Sequence, residues 1–440
     1  MNFKNYGKDC MVMGFALFAM FFGAGNLIFP PFLGFETSSK WFSGFIAYII
    51  TDIGLSLLAV LMIAKRGSTH GMTDVLGKKV SLIIVLANTL CLGPMIAIPR
   101  TAATTFEFSI RPLLPSWFNS WIASFIFFTF VAVLCLRRSK LMDIIGSVLS
   151  PIMVVALALL IIKGIVHPLG TPIECTNSLG GVFTEGIKAG YQTMDMMGAM
   201  IFSVTVLSTV VVKGYTEKKE QYKIISISGL ISSAGLFAVY CGLAYLGATV
   251  SGVYGHVLTQ AELLIAITKG LMGQGGVVLL GIIVAAACLT TAMGLVSASA
   301  EYFFVVLGKQ KIRYQAFVIG ICVMSFIISN VGLTNIISLA APILDLIYPV
   351  LVVLTIMTIF SEKIKNINVY RMASLGAFMT SLLSVIENIT GMNSITALLP
   401  CASFGFSWVV PAVIMGIIGH FIPAKKTEAE LLGKGDGTFF

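Results

Sequence analysis

Charged residues are scarce in this sequence. Only 11% of the 440 residues are Asp, Glu, Lys or Arg, and 57% are hydrophobic, whereas soluble domains carry about 25% charged residues. A soluble chain of this length would need far more polar surface, so a lipid bilayer is the expected environment. The net charge is +9, but the basic residues lie in short runs between apolar segments, which is not the basic face of a nucleic-acid-binding protein.

The residue types used in catalysis and metal binding are also few. The four histidines fall in loops or at segment ends, and the eight cysteines form no C-x-x-C pair and no metal-ligand spacing. No segment outside the apolar stretches is long enough for a soluble enzyme domain. We therefore expect no enzyme, no cofactor and no obligate protein partner. A membrane-embedded enzyme is the most distant alternative, and a channel is disfavoured because no polar ring repeats along the chain.

Long apolar segments fill most of the chain. A membrane-spanning helix needs about 20 mainly apolar residues, and continuous apolar segments indicate helices rather than the short alternating strands of a barrel. The sequence therefore predicts an all-α polytopic membrane protein without a cleaved signal peptide. Its twelve predicted spans are 10–33, 41–64, 80–110, 117–136, 141–163, 183–212, 223–250, 274–307, 312–330, 335–360, 368–387 and 403–422.

The basic residues predict the direction of these spans. With the N-terminus inside, 22 of the 28 Lys and Arg fall on the inner side and 5 on the outer side, with Arg100 counted among the outer ones and Lys188 inside the sixth span. Basic residues concentrate in cytoplasmic loops. We therefore expect a bacterial inner-membrane protein with both termini in the cytoplasm.

The first span contains residues that interrupt a helix. Gly23, Gly25 and Asn26 are followed within a few residues by Pro30 and Pro31. Gly and Pro weaken helical hydrogen bonding, and a break inside a membrane is tolerated where the freed backbone lines a polar cavity. Close packing of small residues against another helix is the alternative. The clustering of Gly, Asn and Pro favours a broken helix.

The sixth span has a similar interruption between Gly190 and Gly198, with Asp195 at its centre. A carboxylate near the membrane midplane is costly and normally faces a functional cavity, although a structural role in holding the break is the alternative. Broken first and sixth spans are typical of an inverted repeat of five plus five helices. The predicted units are a first repeat (1–163), a second repeat (164–360), two extra helices (361–423) and a cytoplasmic tail (424–440).

The eighth span carries adjacent Thr290 and Thr291. Their hydroxyl oxygens suit a hard cation such as Na⁺. The alternative is that each hydroxyl bonds a carbonyl of its own helix, and the sequence leaves these two readings open.

Three runs carry a resemblance to a known family. They are Gly23 to Pro31 in the first span, Gly190 to Asp195 in the sixth, and Gly93-Pro94 with Pro99-Arg100 in the third. Over essentially its whole length the chain resembles the branched-chain amino acid carriers, the leucine-isoleucine-valine cation symporters. The resemblance implies uptake of leucine, isoleucine and valine with a monovalent cation, Na⁺ or H⁺. Another small substrate, an aromatic amino acid or a nucleobase, remains the alternative.

The family is similar in turn to sodium-coupled amino acid transporters with a leucine-transporter-like fold. This similarity implies a substrate carboxylate on the amides of Ala24 and Gly25, and Na⁺ between the first and eighth helices. The implied substrate-binding residues are Gly23, Ala24, Gly25, Asn26, Ile96, Tyr191, Thr193, Met194 and Asp195, with Met20 as a further pocket candidate. The implied Na⁺ ligands are Ala19, Phe22, Ala287, Thr290 and Thr291. An Arg of the distant relatives is missing from the first helix, and we expect Arg100 and Asp345 to form the outer gate instead.

Overall fold

The computed structural model describes residues 6–115, 117–137, 141–254, 258–307, 313–391 and 395–423, and over these ranges it contains helices and turns but no strand. The helices are α1 (Tyr6–Phe21), α2 (Ala24–Thr37), α3 (Trp41–Ile49), α4 (Leu55–Arg66), α5 (Thr69–Thr73), α6 (Lys78–Leu90), α7 (Ala97–Thr105), α8 (Ser120–Arg137), α9 (Leu141–Val166), α10 (Leu179–Thr193), α11 (Asp195–Val212), α12 (Lys218–Thr249), α13 (Gln260–Leu307), α14 (Tyr314–Ser329), α15 (Leu333–Ile359), α16 (Ile367–Thr390) and α17 (Val409–Phe421).

Each predicted span coincides with one helix or with two consecutive helices. The first span is divided into α1 and α2, and the sixth into α10 and α11. The third span is interrupted by a wide turn at Cys91–Met95, where Pro94 cannot donate a helical hydrogen bond. Within the described residues, six helices or runs of consecutive helices are long and apolar enough to cross a membrane, and four shorter helices are apolar. The expected all-helical membrane architecture is thus confirmed.

The long helix α13, which contains the eighth predicted span, is also divided. Gly273 adopts a left-handed φ of 67° inside α13, a conformation that glycine reaches without steric cost. The part before Gly273 lies between the predicted spans 223–250 and 274–307, and its apolar side chains Leu263, Leu264 and Ile267 are buried. The part after Gly273 carries Thr290 and Thr291.

The two interrupted helices lie in the middle of the bundle. α2 packs against α12 and α13, α10 packs against α3, and α11 packs against α4. The contact between α2 and α12 is very close: a methyl group on Gly247 would lie 1.8 Å from the carbonyl oxygen of Pro31, and one on Gly34 would lie 1.9 Å from that of Ala244. Small residues therefore let the backbones of these two helices touch.

Candidate functional site

The first break leaves backbone groups without helical partners. α1 ends at Phe21, and α2 begins at Ala24 after an extended Gly23. Among the described hydrogen bonds, none runs from the amides of Gly23, Ala24 and Gly25 back to the end of α1. The N-terminal turn of α2 therefore presents free amides and the positive end of a helix dipole.

The second break is formed by a single left-handed residue. Met194 has a φ of 66° and separates α10 from α11, a conformation that costs energy for any residue other than glycine. The carbonyls freed at the end of α10 accept hydrogen bonds from Arg100 of α7. Its Nη1 lies 2.6 Å from the oxygen of Gln192, and its Nη2 lies 3.3 Å from that of Thr193.

A buried hydrogen bond joins the two breaks. Nδ2 of Asn26, in the first turn of α2, donates to Oδ2 of Asp195, in the first turn of α11, over 2.7 Å. The same amide also bonds the hydroxyl of Tyr240 on α12. Asn26 and Asp195 are both buried, so the two residues that the sequence singles out at the breaks contact each other.

A second carboxylate lies in this network. Asp52, in the wide turn Ile50–Gly54 between α3 and α4, is fully buried. Its Oδ1 accepts a hydrogen bond of 2.6 Å from the hydroxyl of Thr193, while Oδ2 has no partner among the described protein atoms. Thr193 directly precedes the break at Met194, so Asp52 lies beside the same break as Asp195. The site therefore contains two acidic groups, of which the sequence indicates only Asp195.

A small cavity lies between the breaks. Its volume is about 40 Å³, which is room for a few water molecules and too little for an amino acid. It is lined by polar side chains (Asn26, Arg100, Thr101, Thr193, Asp195 and Thr291), by small residues (Gly23, Ala24, Gly25, Ala97 and Gly198) and by large apolar side chains (Met20, Phe21, Leu92, Met194, Phe202 and Leu295). Seven of the nine predicted substrate-binding residues line this cavity, as does Met20.

The remaining predicted substrate residues lie elsewhere. Ile96 is buried but does not line the central cavity. Tyr191 packs against Tyr348, with ring centroids 4.4 Å apart, and lines a separate cavity of about 240 Å³ together with Lys188 and Asp345. The one-turn spacing between Tyr191 and Asp195 is interrupted by the left-handed Met194, which turns the two side chains into different cavities.

The predicted cation ligands are only partly assembled. The hydroxyl of Thr291 faces the first break, 3.5 Å from where a methyl group on Gly23 would lie, and it has no partner in the described structure. The hydroxyl of Thr290 instead donates to the carbonyl of Ala287 over 2.9 Å. Ala19 lies in the last turn of α1, and Phe22 directly follows that helix. An unpartnered Thr hydroxyl beside the interrupted backbone at Gly23 is an oxygen ligand of the kind that a Na⁺ ion takes.

The predicted gate pair is not formed in this conformation. Arg100 lies in the wall of the central cavity and bonds the end of α10, whereas Asp345 lines the separate cavity with Lys188. Within the described ranges, no ion pair joins the two. Arg100, which the charge count assigns to the outer side, is in fact buried. Without Arg100, Lys and Arg are still far more numerous on the predicted inner side than on the outer side.

Two site residues were not identified from the sequence. Asp52 lies inside the second span, and the rule that singles out Asp195, a carboxylate within an apolar segment, applies to it equally. Tyr240 has no comparable signal, because a tyrosine in an apolar helix is ordinary and only the fold brings its hydroxyl to Asn26.

Solved structures share this fold. The chain resembles Mhp1, a nucleobase-cation-symport-1 family transporter in a closed conformation with bromovinylhydantoin bound, at a TM-score of 0.65, 13% identity and 96% coverage of each chain. It also resembles the substrate-bound outward-open state of a Na⁺-coupled sialic acid symporter, at a TM-score of 0.60 and 12% identity, with 95% of this chain and 91% of that chain covered. These likenesses define the fold of the chain, which is the leucine-transporter-like fold expected from the sequence.

Sequence comparisons define the family. A profile described as branched-chain amino acid transport protein matches residues 6–426. Relatives from Staphylococcus aureus bear the provisional name branched-chain amino acid carrier protein. That of strain USA300 is 37% identical over 436 residues, which cover 94% of this chain and 96% of the relative, and that of strain MRSA252 is 36% identical over the same coverage. The chain belongs to the branched-chain amino acid transport protein family.

Proposed function

We propose that this protein is a secondary active symporter that imports leucine, isoleucine and valine together with a cation, in a cell membrane with both termini in the cytoplasm. One observation carries the proposal: two broken helices, joined by the bond between Asn26 and Asp195, enclose a small cavity whose wall includes these two side chains and Arg100. Family membership supports the substrate class. The fold, shared with cation symporters, supports the mechanism.

The cavity offers complementary groups to a zwitterion. The free amides of Ala24 and Gly25 suit the carboxylate of an amino acid, because a helix N-terminus attracts an anion. Asp195 suits the ammonium group from the opposite side. The apolar wall formed by Met20, Met194 and their neighbours suits an aliphatic side chain. Since one methylene changes binding by only about 1–3 kcal/mol, leucine, isoleucine and valine should share the site.

Transport requires this cavity to expand. A volume of about 40 Å³ excludes an amino acid, so the half-helices must separate before the substrate enters. Phe21 and Phe202, whose rings meet edge to face at 6.3 Å, belong to α1 and α11 and close one side of the cavity. Alternating movement of these halves is the proposed access mechanism, with Arg100 and Asp345 retained as a gate pair for another conformation.

The coupling cation has two candidate sites. Na⁺ fits the position between Thr291 and the carbonyls of Ala19 and Phe22, whereas Thr290 and Ala287, the remaining predicted ligands, bond each other in this conformation. A proton fits the carboxyl pair of Asp52 and Asp195 instead. Each positive charge moved inward gains about 2.3 kcal/mol per 100 mV, so one cation at ~120 mV can drive roughly a hundredfold accumulation of a zwitterion.

Uptake of labelled leucine into liposomes containing the purified protein tests the function. One arm imposes a Na⁺ gradient at equal pH, and the other imposes a proton gradient without Na⁺. Uptake competed by isoleucine and valine in either arm supports the proposal, and the active arm identifies the cation. An aromatic amino acid or a nucleobase that is transported while leucine is not would transfer the function to the alternative substrate class.

A matched pair of variants tests the cation site. Thr291→Ala removes the unpartnered hydroxyl at the break, whereas Thr290→Ala removes one that already bonds its own helix. We expect Thr291→Ala to raise the Na⁺ concentration for half-maximal uptake about tenfold or more, the effect of about 1.4 kcal/mol in binding. Equal effects of the two variants would contradict the site as drawn.

A further inference from the structure

The guanidinium of Arg100 faces the N-terminal turn of α2. Arg100 is only 4% exposed and lines the central cavity. A methyl group on Gly25 would lie 2.8 Å from its Nη2, and its Cζ lies 5.7 Å from the centre of the Phe29 ring. The side chain from α7 therefore reaches across to the free amides at the first break.

The hydrogen-bonding capacity of this guanidinium is only partly used. It has five N–H donors, and the described bonds go to two uncharged carbonyls, those of Gln192 and Thr193. Its Nε–H is buried without a partner. Among the described residues no carboxylate oxygen lies within ion-pair distance of it; Asp195 acts on it from farther away, and Oδ2 of Asp195 accepts from Asn26.

A buried cation without a contacting anion is costly. Here the cation stands opposite the positive end of α2, which adds to the positive potential of the same part of the cavity. An anion placed between them would satisfy both, and a guanidinium is well suited to a planar carboxylate.

We propose that Arg100 recognises the carboxylate of the transported molecule, together with the amides of Ala24 and Gly25. This inference rests on the proposed amino acid substrate. It assigns Arg100 a role in specificity: the site accepts amino acids and rejects the same molecules without a carboxylate. It also places Arg100 in contact with both breaks, because the same guanidinium holds the carbonyls at the end of α10.

Binding of two matched pairs of ligands to the purified protein tests this role. The pairs are leucine with leucinamide, and phenylalanine with phenylalaninamide, which keep the side chain and the ammonium but differ at the carboxylate. Affinities come from ligand-induced shifts in the unfolding temperature over a concentration series. The variants are Arg100→Gln, Arg100→Lys and the control Arg111→Gln, whose guanidinium is exposed and pairs with Glu107 at 2.7 Å.

We expect Arg100→Gln to weaken the binding of leucine about 10- to 100-fold, which is the range for hydrogen bonds to charged groups. The affinity for leucinamide should stay nearly unchanged. Arg111→Gln should keep the preference of the wild type for leucine. If Arg100→Gln does not fold, Arg100→Lys carries the same test, and its preference should fall at least threefold because a single ammonium cannot replace the planar fork.

An equal loss for leucine and leucinamide would show that Arg100 only holds the end of α10 and would overturn the inference. So would a wild-type protein that binds the amides as tightly as the acids. If the wild type binds phenylalanine but not leucine, the proposed branched-chain substrate fails. The role of Arg100 is then decided by the affinity for phenylalanine relative to that for phenylalaninamide, in the wild type and in Arg100→Gln.

Discussion

Asp9 joins the beginning of the first broken helix to the end of the second. Its Oδ1 lies 2.6 Å from Nζ of Lys213, which caps α11, and its Oδ2 accepts a hydrogen bond of 2.9 Å from the hydroxyl of Tyr215. Because α1 must move away from α11 if the cavity is to open on this side, this pair is expected to hold the closed arrangement.

The free energy that the ion pair between Asp9 and Lys213 contributes follows from the exposure of its two side chains. The side chains of Lys213 and Asp9 are 30% and 20% exposed, so the ion pair contributes about 0.5–1 kcal/mol. Replacing the charged acceptor of the bond from Tyr215 by a neutral one costs about 1 kcal/mol more, the difference between hydrogen bonds to charged and to neutral groups. Asp9→Asn keeps an acceptor but loses the charge. The variant should therefore favour opening by about 1–2 kcal/mol, which corresponds to roughly 5- to 30-fold.

Hydrogen exchange measured by mass spectrometry tests this value. Amides in residues 10–21 report local opening of α1, and their exchange in Asp9→Asn should accelerate by that factor without substrate. Glu362→Gln is the control, because its pair with Lys65 at 3.1 Å has a carboxylate that is 83% exposed. It should leave residues 10–21 unchanged.

Restoration by exchange of the charges is the stricter test. The double variant Asp9→Lys with Lys213→Asp should recover slow exchange, at least in part, while each single variant exchanges fast. Exchange in Asp9→Asn within twofold of the wild type would refute the idea that this pair holds the end of α1.

Two further predictions concern packing and capping. Gly247→Ala places a methyl group 1.8 Å from the oxygen of Pro31. The free energy of unfolding of the purified variant should therefore fall by about 1–3 kcal/mol, and the variant should unfold at a lower temperature. Gly320→Ala, whose methyl group would have nothing within 4 Å, should unfold like the wild type. The carboxylate of Glu262 accepts from the amide and hydroxyl of Thr259, both at 3.0 Å, and these bonds lower its pKa. This stabilisation is present above the ordinary carboxyl pKa and is lost as pH falls through the lowered value. At pH 7, Glu262→Gln should therefore lower the free energy of local opening at the start of α13 by about 0.5–1 kcal/mol, which is measured as faster hydrogen exchange. In acid, the variant should match the wild type.

The positions of the breaks could be predicted because their cause is local. Gly23, Gly25 and the two prolines disfavour a continuous helix whatever surrounds them, and a carboxylate such as Asp195 cannot face lipid. The same reasoning predicts the apolar helices, since apolar length depends only on the sequence, and the number of twelve spans stays a prediction. The boundaries of the two predicted repeats stay predictions.

The contacts between the breaks could not be predicted, because they depend on how distant helices pack. Tyr240 reaches Asn26 only through the close approach of α2 and α12. Arg100 is predicted to form an outer gate because the first helix lacks the Arg that the distant relatives carry there. The interruption at Cys91–Met95 instead places Arg100 in the first turn of a new helix, α7, deep in the bundle.

The position of Arg100 provides a route by which binding at one helix break would affect the other. The breaks expose opposite ends of the backbone, free amides at Ala24 and Gly25 and free carbonyls at Gln192 and Thr193, and Arg100 is adjacent to both. A substrate carboxylate that draws the guanidinium towards α2 must lengthen or reorient its bonds to α10. Binding of the carboxylate at the first break would then loosen the end of α10, in addition to the effect of the ammonium on Asp195. Exchange of the amides that follow Met194 should therefore change on leucine binding in the wild type, and this change should become smaller in Arg100→Gln at saturating leucine. The same change in the variant would mean that coupling runs through Asn26 and Asp195 instead.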